Sequence, residues 1–114
     1  MTTIYHNPRC TKSRQTLALL EERGLAPQVV LYLDTPPDAP TLQALLAKLG
    51  ISARDLLRKG EDEYKANNLA DPGLSEQQLI DAMVRFPKLI ERPIVVNGSR
   101  AALGRPPEAV LDIL

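Results

Sequence analysis

The chain has 114 residues, 44% of them hydrophobic, and fourteen Lys and Arg balance fourteen Asp and Glu for a formal net charge of zero. That size and composition describe one domain, residues 1–114, with a real core, and they exclude a disordered chain. Charge balance and only four aromatic residues argue against nucleic acid as a partner and against a polybasic membrane-surface protein.

Thr2 to Tyr5 reads as a short strand that stops at Asn7-Pro8. From Thr11 to Arg23 the pattern is helical, with Leu17 and Leu20 on one face and Gly24 at the stop position. Val29 to Leu33 is nearly all apolar, as expected of a strand buried on both faces. Strand, helix and strand in about thirty residues make a βαβ unit with parallel strands and a right-handed crossover. Leu42, Leu45, Leu46 and Leu49 then mark a helix closed by Gly50. Ser52 with Asp55 and Ser75 with Gln78 have capping-box spacing. The first starts a short helix through Arg58; the second starts a helix that turns Leu79, Ile80, Met83 and Val84 inward before Pro87.

Ile94 to Val96, Asn97-Gly98, and Ser99 to Leu103 predict a β-hairpin with a type I′ turn. Pro106-Pro107 opens a last helix, with Val110, Leu111 and Leu114 as its apolar face. The order is β-α-β, a helical insertion at about residues 38–90, then β-β-α. A βαβ half and a ββα half around a mixed sheet form an α/β, thioredoxin-like layout.

No apolar run approaches the ~18 residues of a membrane span, and Met1 to Cys10 shows no signal-peptide pattern. One cysteine makes no intrachain disulfide, and Cys10 with His6 cannot complete a four-ligand zinc site. A reducing cytoplasm is the expected compartment.

Cys10 lies between the first strand and the first helix, where the N–H groups of a helix start attract a thiolate. With His6, Arg9, Lys12 and Arg14 nearby in sequence, its pKa is expected to fall from about 8.5 into the ~3.5–7.5 range. A lone cysteine is more often a small buried hydrophobe, but Asn7, Arg9, Thr11, Lys12 and Ser13 do not describe a core position. Cys10 is therefore the candidate nucleophile. Ser13 stands where dithiol oxidoreductases place a second cysteine, so an external thiol would have to complete a redox cycle; it equally suits a first-turn hydroxyl satisfying an orphan N–H. His6 reads as a neighbour tuning Cys10, or as a structural strand-end histidine. Arg58, Arg92 and Arg105 are weighed as oxyanion ligands, the last two each preceding a proline at a hairpin edge. Each taken alone also suits a solvated surface residue.

Ile4-Tyr5-His6-Asn7-Pro8-Arg9-Cys10 with Ser13-Arg14, Leu31-Tyr32-Leu33 before Pro36-Pro37, and Leu56-Leu57-Arg58-Lys59 form one part of a pattern. Glu91-Arg92-Pro93-Ile94-Val95-Val96 and Gly104-Arg105-Pro106-Pro107-Glu108, with the apolar end Val110 to Leu114, complete it. Together they resemble the glutaredoxin-coupled arsenate reductase family along essentially the whole chain. Thr11-Lys12 replaces the Gly-Thr that well-characterised members carry after the cysteine, which brings the chain closer to a branch named by similarity. The resemblance implies a thioredoxin-like fold with a helical insertion, Cys10 as nucleophile, His6 as an aid to its ionisation, and Arg58, Arg92 and Arg105 as the oxyanion clamp. It implies no bound cofactor, glutathione as co-substrate, glutaredoxin as partner, and arsenate reduced to arsenite. The thioredoxin-like layout also implies a cis bond before Pro93. Two other functions stay open: a glutathione-dependent thiol reductase of another substrate, and a transcription adaptor that binds RNA polymerase. Adaptors of the family commonly show Cys-x-x-Cys, which Ser13 breaks.

Overall fold

Thr2–His6 forms strand β1, with Ile4 and His6 turned inward at the two-residue period of a strand. The computed structural model describes residues 2–114, and their contacts divide into two compact units. The first runs to Thr35 and resumes at Arg92; the second is Pro36–Glu91.

In the first unit, α1 (Thr11–Glu22) leads to β2 (Gln28–Leu31), which pairs parallel to β1. Gly24, at φ 75°, closes α1: its N–H reaches Glu21 O and that of Leu25 reaches Leu20 O, a Schellman ending. β3 (Ile94–Asn97) pairs antiparallel with both β1 and β4 (Arg100–Leu103), giving the mixed sheet order β2-β1-β3-β4. Ile4, Leu20, Val95, Val110 and Ile113 form the core of this unit, with Leu17, Leu19, Leu25 and Ala102 packed against it.

Three expectations are corrected here. The apolar run at β2 is not buried on both faces: the strand ends at Leu31 and lies at the sheet edge, with Val29 44%, Leu31 38% and Leu33 40% exposed. An apolar run does not reveal sheet position, and β1 and β3 are the strands paired on both sides. The hairpin pairs Asn97 with Arg100, so Gly98-Ser99 occupies the turn. Gly98 has φ 63° and Ser99 is not left-handed, the pattern of a II′ turn with glycine first rather than I′. The last element is a 3-10 helix, Pro107–Ile113, that buries Pro107, Val110 and Ile113 and leaves Leu114 exposed. Three residues per turn bring every third side chain inward, so the buried face differs from the one an α-helix would present.

The second unit is helical. Asp38 caps α2 (Ala39–Leu49) by accepting the Thr41 N–H, and Gly50, at φ 71°, ends it. The capping boxes start α3 (Ala53–Leu56) at Ser52 and α5 (Glu76–Arg85) at Ser75 as the spacing predicts. Between them lies the short α4 (Asp62–Ala66), which buries no side chain. Leu57 and Ile90 form an antiparallel bridge that ties the end of α3 to the last residues of this unit.

Candidate active site

Cys10 is the N-cap of α1: its N–H bonds to Asn7 O at 3.0 Å and its carbonyl accepts the Arg14 N–H at 3.0 Å. The side chain is partly exposed. Burial pushes the thiol pKa up, but the Ser13 N–H, the Arg92 side chain as donor and charge, and the Arg105 charge together hold it below the ordinary value. Arg105 Nη2 lies 3.6 Å from Sγ, and its Nε donates to Arg92 O at 2.8 Å, joining the two arginine loops.

Close packing brings those loops to the helix start. Gly104 is buried, and a Cβ there would stand 2.5 Å from Thr16 Oγ1 and 2.7 Å from Pro93 Cγ. Only a glycine admits this approach. The peptide bond before Pro93 is cis as expected, and so is Arg105-Pro106, which the sequence reading did not anticipate.

His6 does not touch the thiol through any described bond. Its Nδ1 lies 2.6 Å from Ser13 Oγ, which also accepts the Asn7 N–H at 3.0 Å. Burial, then the Arg14 charge, lowers the His6 pKa, so the ring is neutral at neutral pH. In the Nε2–H tautomer, the Ser13 hydroxyl donates to Nδ1. His6 and Ser13 are both buried, so this pair fixes the loop from beneath while the Ser13 backbone N–H faces the sulfur.

Two contributors escaped the sequence reading. Asn7 is buried, and its Oδ1 accepts the Arg9 N–H at 3.0 Å, folding the loop around Cys10. Its polar character suggests a strand stop outside the core, yet Asn7 and Ser13 are both buried because their polar atoms are paired within the loop. Arg14, which the sequence offers only as a nearby charge, donates to Pro8 O at 2.8 Å and to Thr11 Oγ1 at 3.2 Å, bracing the same loop.

The first unit thus brings together Cys10, His6, Ser13, Arg92 and Arg105. Arg58 belongs to the second unit, where its guanidinium meets Glu91 at 2.8 Å and Glu61 at 3.6 Å. Among the described residues, no three His, Cys, Asp or Glu side chains cluster to hold a metal ion. No described helix is long and apolar enough to cross a membrane.

A mixed four-stranded sheet with one cysteine at its strand–helix junction defines a thioredoxin-like α/β protein. The chain belongs to the ArsC family, whose model matches residues 5–113. It is 63% identical over 112 residues to the uncharacterized protein YfgD of Escherichia coli (strain K12), across 97% of this chain and 94% of that one. It is 50% identical to an arsenate reductase of Neisseria meningitidis, across 97% and 96% of the two chains. The structure of an arsenate reductase from Vibrio cholerae matches with a TM-score of 0.97 at 54% identity, covering 99% of this chain and 97% of that one.

Proposed function

We propose that the protein reduces arsenate to arsenite, with glutathione as co-substrate and glutaredoxin as the partner that regenerates Cys10. The observation that carries this reading is the guanidinium of Arg105 at 3.6 Å from a thiol whose pKa is held low. Guanidinium forks suit tetrahedral oxyanions, and a thiolate beside them is the nucleophile such an anion meets. The relatives named arsenate reductase supply the substrate.

The Cys10 thiolate attacks arsenic, water leaves, and a thiolate–arsenic(V) adduct forms. A glutathione thiolate then attacks the Cys10 sulfur. The S–As bond breaks, and its electron pair leaves with arsenic as arsenite, so two thiols are oxidised to one disulfide while arsenic gains two electrons. Glutaredoxin takes over the glutathionyl group and returns the Cys10 thiol. Arg92 and Arg105 hold the oxyanion. His6 and Ser13 position the cysteine loop. The scheme needs no bound cofactor and suits the reducing cytoplasm.

The test is arsenate-dependent NADPH oxidation with glutathione, glutaredoxin and glutathione reductase. Wild type is expected to turn over and Cys10→Ser to be inactive. A wild type that is inactive there, yet forms a Cys10–glutathione disulfide by exchange with oxidised glutathione, replaces this reading with a thiol reductase of another substrate.

A further inference from the structure

An open cleft of about 410 Å³ lies one residue from Cys10, lined by His6, Asn7 and Arg9 of the loop after β1 and by Leu31, Leu33 and Asp34 at the end of β2. Its volume falls within the ~300–1,000 Å³ of small-molecule sites. The lining is chemically mixed. Leu31 and Leu33 are large apolar side chains left exposed. Arg9 and Asp34 bring opposite charges from two segments, and among the described residues no ion pair joins them. Unpaired opposite charges sharing a cleft are complementary to a zwitterion, with its carboxylate toward Arg9, its ammonium toward Asp34 and its methylene carbons over the leucines.

We infer that this cleft seats the thiol reactant, a small zwitterionic thiol peptide such as glutathione. The inference rests on the proposed reduction for its chemical use, because a chain with one cysteine has no second thiol of its own. Displacement at the Cys10 sulfur requires the incoming thiolate opposite the S–As bond, so thiol and oxyanion need separate seats. The cleft lining contains neither Arg92 nor Arg105. Reach is sufficient: adjacent Cα atoms stand about 3.8 Å apart, and an extended tripeptide spans about 10 Å. A peptide held by its charged ends in the cleft can therefore bring a central thiol to the sulfur one residue beyond Arg9.

S-methylglutathione, which has no free thiol, separates binding from chemistry. Titrated into the full reduced chain, it should give saturable amide shifts at Asn7, Arg9, Leu31, Leu33 and Asp34 in nitrogen–proton NMR spectra. Arg9→Glu and Asp34→Lys should each weaken binding about three- to tenfold, the effect of replacing one exposed charge pairing by repulsion. The charge reversal Lys48→Glu, outside the cleft lining, should leave it unchanged. In turnover, Arg9→Glu should raise KM for glutathione while KM for arsenate holds. Cleft binding by a protein that fails to reduce arsenate would leave this inference standing and remove only the reductase reading. Shifts centred on Arg92, Ile94 and Arg105 with the cleft silent overturn it, as does the absence of any saturable shift at millimolar ligand. Equal binding by Arg9→Glu, Asp34→Lys and Lys48→Glu overturns it too.

Discussion

Cys10 is activated by groups of two kinds: a backbone N–H at a helix start, and guanidinium charges brought from distant sequence. Charge on the two arginines governs oxyanion handling in the proposed reaction. Arg92→Ala and Arg105→Ala are expected to lower kcat/KM for arsenate by about 10²–10³, the cost of one preorganised charged donor. Lysine should rescue poorly for want of the fork. Arg100, whose guanidinium bonds to Asp112 O, is the control, and Arg100→Ala should reduce arsenate at the wild-type rate. His6 has a different signature. Its folded pKa is lowered, so below about pH 6.5 the unfolded chain takes up a proton that the folded chain refuses. The associated stability is complete above that pH and is lost as pH falls toward the folded value. Urea unfolding across pH 5 to 7 should show this slope in wild type, and it should be shallower in His6→Asn, which never charges.

At the scale of elements, the site depends on how closely the loop after β4 lies on α1. Thr16 sits on the inner face of that helix, its hydroxyl bonded to Lys12 O, and Gly104 rests against it. Gly104→Ala should cost about 1–3 kcal/mol, as overpacking of a filled interior does. It should also raise the Cys10 pKa, because Arg105 follows directly and moves with the loop. Thermal unfolding reads the first effect, and iodoacetamide reactivity against pH reads the second. The exposed apolar row of β2 illustrates the opposite case, an element whose composition suits a core but whose outer side is left open beside the cleft.

Over the whole molecule, a single cysteine sets the stoichiometry. Reduction of arsenic by two electrons needs two thiols, and the chain holds one. Reduced protein mixed with arsenate alone is therefore expected to release no arsenite, and glutathione without glutaredoxin to stop at one arsenite per chain with Cys10 glutathionylated. Quench-flow with arsenite quantification and intact mass measures both. Multiple turnovers from the isolated protein without any added thiol would contradict the scheme.

Local signals in the sequence carried the helix starts, because a cap is a contact between residues three apart: Ser52 with Asp55, Ser75 with Gln78, and Gly24 and Gly50 at the stops all stand where the spacing put them. The βαβ and hairpin order was legible for the same reason. The candidate nucleophile was legible too, since a strand end, polar neighbours and a helix start adjoin within Asn7 to Ser13. Sequence could not rank β2 as an edge strand, nor see the 3-10 period of the last turn, because both follow from which surfaces remain to be covered once the sheet has formed. Nor could it see that His6 reaches Ser13 and that Asn7 ties the loop together. Arg105 meets Cys10 across ninety-five positions, and only tertiary structure decides that meeting, because it depends on the sheet that aligns β1 with β3 and on the one missing Cβ at Gly104.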